Sequence, residues 1–219
     1  MYKLAGICED HGITVAGIID SDYYGNCDQL CEIPVIDSES FINDTAKLAH
    51  YRNNYNFFCA TNWIPEQSPV AVRNRQKRNR LIDLIESNSL NCISLVDRDA
   101  RMLKYAEIGR GVFLDAHVMI EVKSKIGDFV SIYYNTLIGH DNVVGKNCVF
   151  QRQCILTGNN VVEPDVFFGV AVKALKPGAV FKRNSFIHEG IYIRRGTTEN
   201  EVVSMNSINQ SRLVYQYVD

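Results

Sequence analysis

The chain has 219 residues, of which 46% are apolar, so it can bury the core of one or two domains. A formal net charge of −2 provides no broad positive surface, which argues against nucleic-acid binding. The apolar runs fall far short of the ~18 residues of a membrane-spanning helix and the N-terminus lacks a secretory signal, so we expect a cytoplasmic protein without a membrane partner.

The cysteines also argue for a cytoplasmic protein. There are seven of them, an odd number, and they follow no disulfide framework. Cys27 and Cys31 form a close pair, but no second pair or nearby histidine completes a zinc set. The sequence therefore predicts reduced thiols and no metal site.

Residues 1–97 predict a small α/β domain. Three apolar segments predict strands: 13–22 (ITVAGIIDSD), 56–63 (NFFCATNW) and 92–97 (CISLVD). Residues 72–87 (VRNRQKRNRLIDLIES) predict a helix, and its cationic residues are interpreted as a solvated face rather than an anion site. Alternation of strand, helix and strand favours a layer with parallel strands.

Residues 98–195 carry a six-residue repeat that predicts a parallel β-helix. An α-helix would spread this period around its whole circumference, whereas short strands with a bend every six residues point one bulky residue inward from each flat. Three flats close a coil of about 18 residues. The position four residues after each inward residue is usually small, and Asn142, Asn160 and Asn184 fit less well. Fifteen apolar residues are predicted to point inward: Met102, Ile108, Leu114, Ile120, Ile126, Ile132, Ile138, Val144, Phe150, Leu156, Val162, Phe168, Ala174, Val180 and Phe186.

Two further features accompany the repeat. Residues 196–219 do not continue the repeat and are predicted to form a tail. In this tail, the apolar residues Leu213, Val214, Tyr215 and Val218 are expected to cap the last coil or contact another subunit. Five glycines directly follow inward positions and are expected to supply permissive dihedrals and space at the bends: Gly109, Gly127, Gly139, Gly145 and Gly169.

The segment 138–145 (IGHDNVVG) is the most specific motif in the chain. Together with the weaker segments 156–160 (LTGNN) and 167–172 (FFGVAV), it resembles the sugar acetyltransferases that place a Rossmann-like domain before a hexapeptide-repeat β-helix. These are typified by the enzymes that N-acetylate nucleotide-linked amino sugars in bacterial glycan synthesis. The resemblance implies a left-handed β-helix after a Rossmann-like α/β domain that lacks its first strand. It also implies acetyl-CoA as acyl donor, no metal, and a homotrimer.

The resemblance assigns roles to residues of the repeat. Attack of a sugar amine or hydroxyl on a thioester needs a base that is mostly neutral near pH 7, as imidazole is. His140 is implied as this base, oriented by Asp141. Gly158 is implied as the amide donor to the oxyanion, and Gly169 and Val170 as residues along the pantetheine arm of the cofactor.

Other positions depart from the family pattern or match it only in part. Asp20 and Asp22 match the acidic end of a strand in the nucleotide site, although the family's preceding glycine-rich loop is missing. Tyr133 stands where the family usually has an asparagine near the substrate, and Val149 where a second histidine is common. His188 replaces a glycine of the cofactor channel, so it is expected to contact the cofactor.

Three functions compete at this point. The leading hypothesis is an acetyl-CoA-dependent acyltransferase acting on an amino sugar, most plausibly nucleotide-linked. The alternative is a non-catalytic or repurposed trimeric scaffold, and outward-facing residues such as Val149 and Tyr133 are consistent with a subunit seam. A zinc site of the carbonic-anhydrase kind ranks last, because His117, His140 and His188 are predicted to lie on three different faces.

Overall fold

The computed structural model describes residues 2–61, 69–205 and 213–214. The chain divides into two compact units, Met1–Leu95 and Val96–Asp219. In the described part of the chain, no helix has both the length and the apolar character needed to cross a bilayer.

The first unit combines helices with a small mixed sheet. Its helices are α1 (Tyr2–Asp10), α2 (Thr45–Asn54) and α3 (Pro69–Ser87), with a 3-10 helix at Glu39–Asn43. The sheet has the order β1–β3–β2, in which β1 is parallel and β2 antiparallel to β3. Its strands are β1 (Ile18–Ile19), β2 (Gln29–Leu30) and β3 (Ile33–Asp37).

The strands of this unit differ from the prediction. The strand expected over 13–22 is reduced to β1, and Ile13 and Val15 are each 37% exposed. The segment 56–63 contributes only a parallel bridge between Phe57 and Cys92, and residues 62–63 lie outside the described residues. The central strand β3 was missed, since a proline inside a run, here Pro34, argues against a central strand. The Rossmann-like assignment of this unit stays a prediction.

The helices agree better with the sequence. The predicted helix over 72–87 is present as α3, which begins at Pro69, a residue favoured in the first turn. Ile82 and Ile85 of its apolar face are buried. Asp44 caps the N-terminus of α2, because its carboxylate accepts hydrogen bonds from the amides of Ala46 and Lys47 at 2.9 and 3.1 Å.

The second unit is a parallel β-helix built from three sheets. The first sheet has the order β4–β7–β10–β13–β16–β19–β21–β22, the second β5–β8–β11–β14–β17–β20, and the third β6–β9–β12–β15–β18. The strands are β4 (Leu95–Val96), β5 (Arg101–Met102), β6 (Glu107–Ile108), β7 (Phe113–Leu114), β8 (Met119–Ile120), β9 (Lys125–Ile126), β10 (Ser131–Ile132), β11 (Leu137–Ile138), β12 (Val143–Val144), β13 (Val149–Phe150), β14 (Ile155–Leu156), β15 (Val161–Val162), β16 (Phe167–Phe168), β17 (Lys173–Ala174), β18 (Val180–Phe181), β19 (Phe186–Ile187), β20 (Tyr192–Ile193), β21 (Glu201–Val203) and β22 (Leu213–Val214).

The second residue of most strands points into the core, as predicted, until the repeat slips by one residue. Strands pair 18 residues apart up to Ile155 with Lys173, but 19 residues apart from Val161 with Val180 to Lys173 with Tyr192. The extra residue lies in the segment 175–179 (LKPGA). Phe181 and Ile187 are therefore fully buried, whereas Val180 is 39% exposed. The predicted inward positions Val180 and Phe186 were wrong.

The bends use a left-handed backbone conformation, but not at the position directly after the inward residue where it was predicted. The residue three positions after each inward residue has a positive φ at nearly every bend, for example Asp141 at 54° and Asn159 at 60°. The glycines that directly follow inward positions do not. At Gly139, a Cβ would lie 2.9 Å from the carbonyl oxygen of Leu156 and 3.0 Å from the amide of Gly158, so close approach of the next coil favours glycine there.

The tail continues the first sheet beyond residue 195. Glu201–Val203 forms β21, which pairs in parallel with β19. Leu213–Val214 forms β22, which runs antiparallel to β21 and so covers the exposed edge of the last strand. Tyr215 and Val218, also expected in a cap, lie outside the described residues.

Candidate functional site

His140 and Asp141 lie together on the bend between β11 and β12. Ile138 is fully buried in the core, and the chain turns outward after it. The side chains of His140 and Asp141 are 49% and 43% exposed. The left-handed φ of Asp141, which aspartate tolerates better than most residues, accompanies a contact of 2.9 Å between its Oδ2 and Nδ1 of His140.

This contact determines which imidazole nitrogen is available as a base. An ionised carboxylate can only accept a hydrogen bond, so the bond requires the proton on Nδ1. Nε2 is then the unprotonated nitrogen of the neutral ring. The predicted pairing of His140 with Asp141 is therefore present, and it leaves a basic nitrogen on an exposed bend.

Gly158 occupies the equivalent bend of the next coil, because Ile138 pairs with Leu156. A Cβ added to Gly158 would lie 2.5 Å from Cε1 and 2.6 Å from Nε2 of His140. The imidazole thus covers this residue, and a side chain here would displace the ring. Within the described residues, the backbone amide of Gly158 donates no hydrogen bond.

The other predicted residues of the β-helix follow strands of the first sheet. Tyr133 follows β10, and its ring lies 5.5 Å from that of Phe113. Gly169 follows β16 and donates its amide hydrogen to the carbonyl of Ile187 at 2.8 Å, and Val170 beside it is 42% exposed. These residues lie on the edge of the β-helix between its first and second sheets, whereas His140 lies on the edge between the second and third sheets.

His188 also belongs to this edge, because it follows β19 directly. Its ring centroid lies 4.4 Å from that of Phe186, and its Nδ1 lies 3.5 Å from a carboxylate oxygen of Glu189. His117 follows β7 of the same sheet, so the prediction that His117, His140 and His188 lie on three faces was wrong. In the described ranges, no three histidine, cysteine or acidic side chains approach closely enough to hold a metal.

Within one chain, the candidate residues of the β-helix therefore form two separate groups. His140, Asp141 and Gly158 share the bend between the second and third sheets. The other group lies along the edge after the first sheet and contains Tyr133, Gly169, Val170 and His188. The structure does not bring these groups together in a single chain.

The apolar surface of the β-helix lies elsewhere than expected. Val149 has no exposed surface in the single chain, so it offers nothing to a subunit seam. The exposed apolar row is on the third sheet, where Val143, Val161 and Val180 pair in register and are 48%, 42% and 39% exposed.

In the first unit, Asp20 and Asp22 are held by cations of helix α3. Nζ of Lys77 lies 2.7 Å from a carboxylate oxygen of each, and Arg73 lies 2.9 Å from Asp22. The hydrogen bond and the charge of Lys77 lower the pKa of Asp22. Burial opposes ionisation of Lys77, but its bonds to both carboxylates outweigh this and raise its pKa.

Sequence reasoning missed this ion-pair cluster, because it took the cations of α3 for a solvated face. Lys77 is in fact only 14% exposed. A usable signal was present, since Arg73 and Lys77 are four residues apart and therefore share one side of the helix. The acidic pair that follows β1 supplies the matching charge.

No protein-family model matches the sequence, and no curated protein gives a significant match. Several solved structures are similar, among them three from different bacteria. PerB from Caulobacter crescentus, in complex with CoA and GDP-perosamine, has a TM-score of 0.72 and 21% identity, over 91% of this chain and 86% of that chain. WeeI from Acinetobacter baumannii has a TM-score of 0.69 and 16% identity, over 95% and 91%. The acetyltransferase domain of PglB from Neisseria gonorrhoeae has a TM-score of 0.76 and 14% identity, over 97% and 93%.

At these identities the similarity establishes the fold. Together with the stacked parallel sheets, it confirms the left-handed parallel β-helix predicted from the six-residue repeat.

Proposed function

We propose that the protein is an acyltransferase that moves the acetyl group of acetyl-CoA to an amino sugar, with His140 as general base. The observation that carries the proposal is the bend at 138–142, where Asp141 engages Nδ1 of an exposed imidazole and leaves Nε2 free beside Gly158. Support comes from the shared fold with PerB, a perosamine N-acetyltransferase whose structure holds CoA and GDP-perosamine.

The chemistry follows from the two ring nitrogens. Acetyl-CoA supplies the acetyl group as a thioester, which is activated toward attack by an amine. Nε2 of His140 accepts the proton that the amine loses as the new carbon–nitrogen bond forms, and it returns this proton to the departing sulfur as the carbon–sulfur bond breaks. Asp141 stabilises the imidazolium formed in between.

Gly158 supplies the electrostatic part of the mechanism. Negative charge develops on the thioester oxygen during attack, and a backbone amide aimed at it lowers the barrier. The amide of Gly158 is the proposed donor, since the His140 ring covers this residue and its amide donates to no acceptor within the described part of the chain.

The rest of the proposed site needs a second copy of the chain. Gly169, Val170 and His188 are the proposed cofactor contacts, yet they lie on a different edge from His140. In a homotrimer, the neighbouring subunit places its edge with Gly169, Val170 and His188 beside the edge of this chain that carries His140. The exposed valines of the third sheet supply apolar surface for such packing.

The proposed acceptor is a nucleotide-linked amino sugar. Asp20 and Asp22 were expected to contact it, and Tyr133 to lie near the sugar. Because Lys77 contacts one carboxylate oxygen of each aspartate and Arg73 contacts Asp22, we propose that these cations meet the phosphates of the nucleotide while the aspartates hold them in place.

A second candidate is a trimeric scaffold without catalysis. The burial of Val149 favours it, because the position where the related enzymes often carry a second histidine has no surface to offer a substrate. The two candidates differ in whether the protein binds and consumes acetyl-CoA.

Calorimetric titration of acetyl-CoA into the purified protein, with free CoA as a comparison, separates them. We expect saturable binding, and turnover with GDP-perosamine or another nucleotide-linked amino sugar. His140→Ala should lower kcat by about 10²–10⁴-fold. His50→Gln is the control, since His50 lies on helix α2 of the first unit and belongs to neither group of candidate residues. An absence of binding up to millimolar acetyl-CoA would leave the scaffold as the better account.

A further inference from the structure

Two buried asparagines interrupt the apolar core of the β-helix. Asn142 and Asn160 have no exposed surface and stand one above the other in adjacent coils, with Ser124 in the coil before them. They occupy the position four residues after an inward residue. At the other two bends of a coil the equivalent position often holds a valine, as at Val118, Val130, Val166 and Val172.

Asn142 holds the peptide that precedes His140. Its Nδ2 donates to the carbonyl oxygen of Gly139 at 2.6 Å, and the hydroxyl of Ser124 donates to the same oxygen at 2.6 Å. Because a peptide group is planar, fixing the carbonyl of Gly139 also fixes the amide nitrogen of His140.

Asn160 makes the same contact one coil later. Its Nδ2 donates to the carbonyl oxygen of Thr157 at 2.5 Å, which fixes the peptide that precedes Gly158. The backbone amide of Asn160 in turn donates to Oδ1 of the Asn142 side chain at 2.8 Å. One side-chain ladder therefore holds both bends of the candidate site and links them to each other.

We infer that Asn142 and Asn160 are positioning residues that set the height of the His140 imidazole above Gly158; this inference rests on the proposed function. The separation between the imidazole and Gly158 is critical because it is small. A Cβ added to Gly158 would lie only 2.5 Å from the nearest ring atom of His140. A misplacement of about 1 Å between reacting groups can cost about 10²-fold in rate.

Packing alone does not account for these asparagines. At other bends a valine often fills the equivalent position without burying an amide, and a buried amide is costly unless it is hydrogen-bonded. Valine at 142 would fill the position, as it does at other bends, and lose both side-chain hydrogen bonds. Serine is smaller, and its hydroxyl can donate to the carbonyl three residues earlier and accept from the next coil. Ser185 donates to the carbonyl of Lys182 three residues earlier, and the hydroxyl of Ser124 accepts from the amide of Asn142 in the next coil.

The two possible roles of Asn142, positioning His140 and filling space, therefore predict opposite orders of activity for Asn142→Val and Asn142→Ser. If Asn142 positions His140, the valine variant loses about tenfold to a hundredfold in kcat, while the KM for acetyl-CoA stays within about twofold. The serine variant then recovers most of the kcat, even though its larger void lowers its melting temperature. If Asn142 only fills space, kcat follows the melting temperature and the serine variant is the worse enzyme.

Ser185→Ala is the matched control, because it removes the same type of contact at a bend on another edge of the β-helix. It should change the melting temperature and leave kcat near that of the unmodified protein. Equal kcat values for Asn142→Val and Ser185→Ala would overturn the positioning role alone. No acetyl-CoA turnover by the unmodified protein, with any nucleotide-linked amino sugar, would overturn the proposed function and this role with it.

Discussion

Replacing Gly158 by alanine tests the candidate site at its tightest contact. The new Cβ would lie 2.5 Å from Cε1, 2.6 Å from Nε2 and 2.9 Å from Cδ2 of His140. Ordinary contact begins at 3.4 Å, so the ring has to move by about 0.9 Å. The ring can do so, because it ends a flexible side chain that is 49% exposed.

The substitution should therefore separate activity from stability. The φ of Gly158 is not in the left-handed region, so alanine adopts the native backbone and gains about 0.4–1 kcal/mol from a less flexible unfolded chain. That gain roughly offsets the lost ring contacts, and the free energy of unfolding should change by less than about 1 kcal/mol. The displacement of Nε2 should lower kcat by about a hundredfold.

Gly127→Ala is the reciprocal control. Its Cβ would meet backbone atoms, with the carbonyl oxygen of Val144 at 2.9 Å and the amide of Lys146 at 3.0 Å, and these cannot swing aside. It should cost about 1–3 kcal/mol in stability and leave kcat near normal. Acetyl transfer by the folded variants and their denaturant midpoints provide the two readings. Normal turnover by Gly158→Ala would refute the placement of the reaction centre between His140 and Gly158.

Three other predictions follow from local contacts. Phe181→Ala should destabilise the β-helix by about 3–5 kcal/mol and Val180→Ala by less than about 1 kcal/mol in denaturant titrations, and the opposite order would contradict the shifted register. Asp141→Asn should keep the fold, since asparagine tolerates the φ of 54°, and should lower kcat at least about tenfold in steady-state assays. Burial opposes ionisation of Glu201, but the hydrogen bonds from Arg195 outweigh it and lower its pKa, so its contribution is present above pH 4.5 and lost as the pH falls. Glu201→Gln should cost about 1–3 kcal/mol at pH 7, and a difference from the unmodified protein that does not shrink as the pH falls below 4.5 would contradict this account.

The six-residue repeat predicted the β-helix because its information is local. Each inward residue belongs to a strand of two residues, and the same choice is repeated coil after coil, so the period alone indicates the fold. The register slip after Ala174 escaped this reasoning. Both Val180 and Phe181 are apolar, as are Phe186 and Ile187, so either residue of each pair could have been the inward one. The pairing of Val161 with Val180 decides it.

The first unit was predicted less well, because its strands are held by contacts between distant segments. β3 carries Pro34 and lies between β1 and β2, and nothing in its own sequence marks it as the central strand. The cations of α3 looked like a solvated face until the fold placed Lys77 between Asp20 and Asp22.

For the candidate site, the sequence by itself determined the chemistry of one bend. His140 and Asp141 are neighbours in the chain, and a two-residue step from an inward isoleucine places the histidine outside. Only the tertiary structure decided what lies above and beside it. Gly158 meets the imidazole through the stacking of coils 18 residues apart, and the asparagine ladder fixes that stacking through hydrogen bonds between coils. Tyr133, Gly169, Val170 and His188 fall on another edge, because the three sheets of a coil point in different directions.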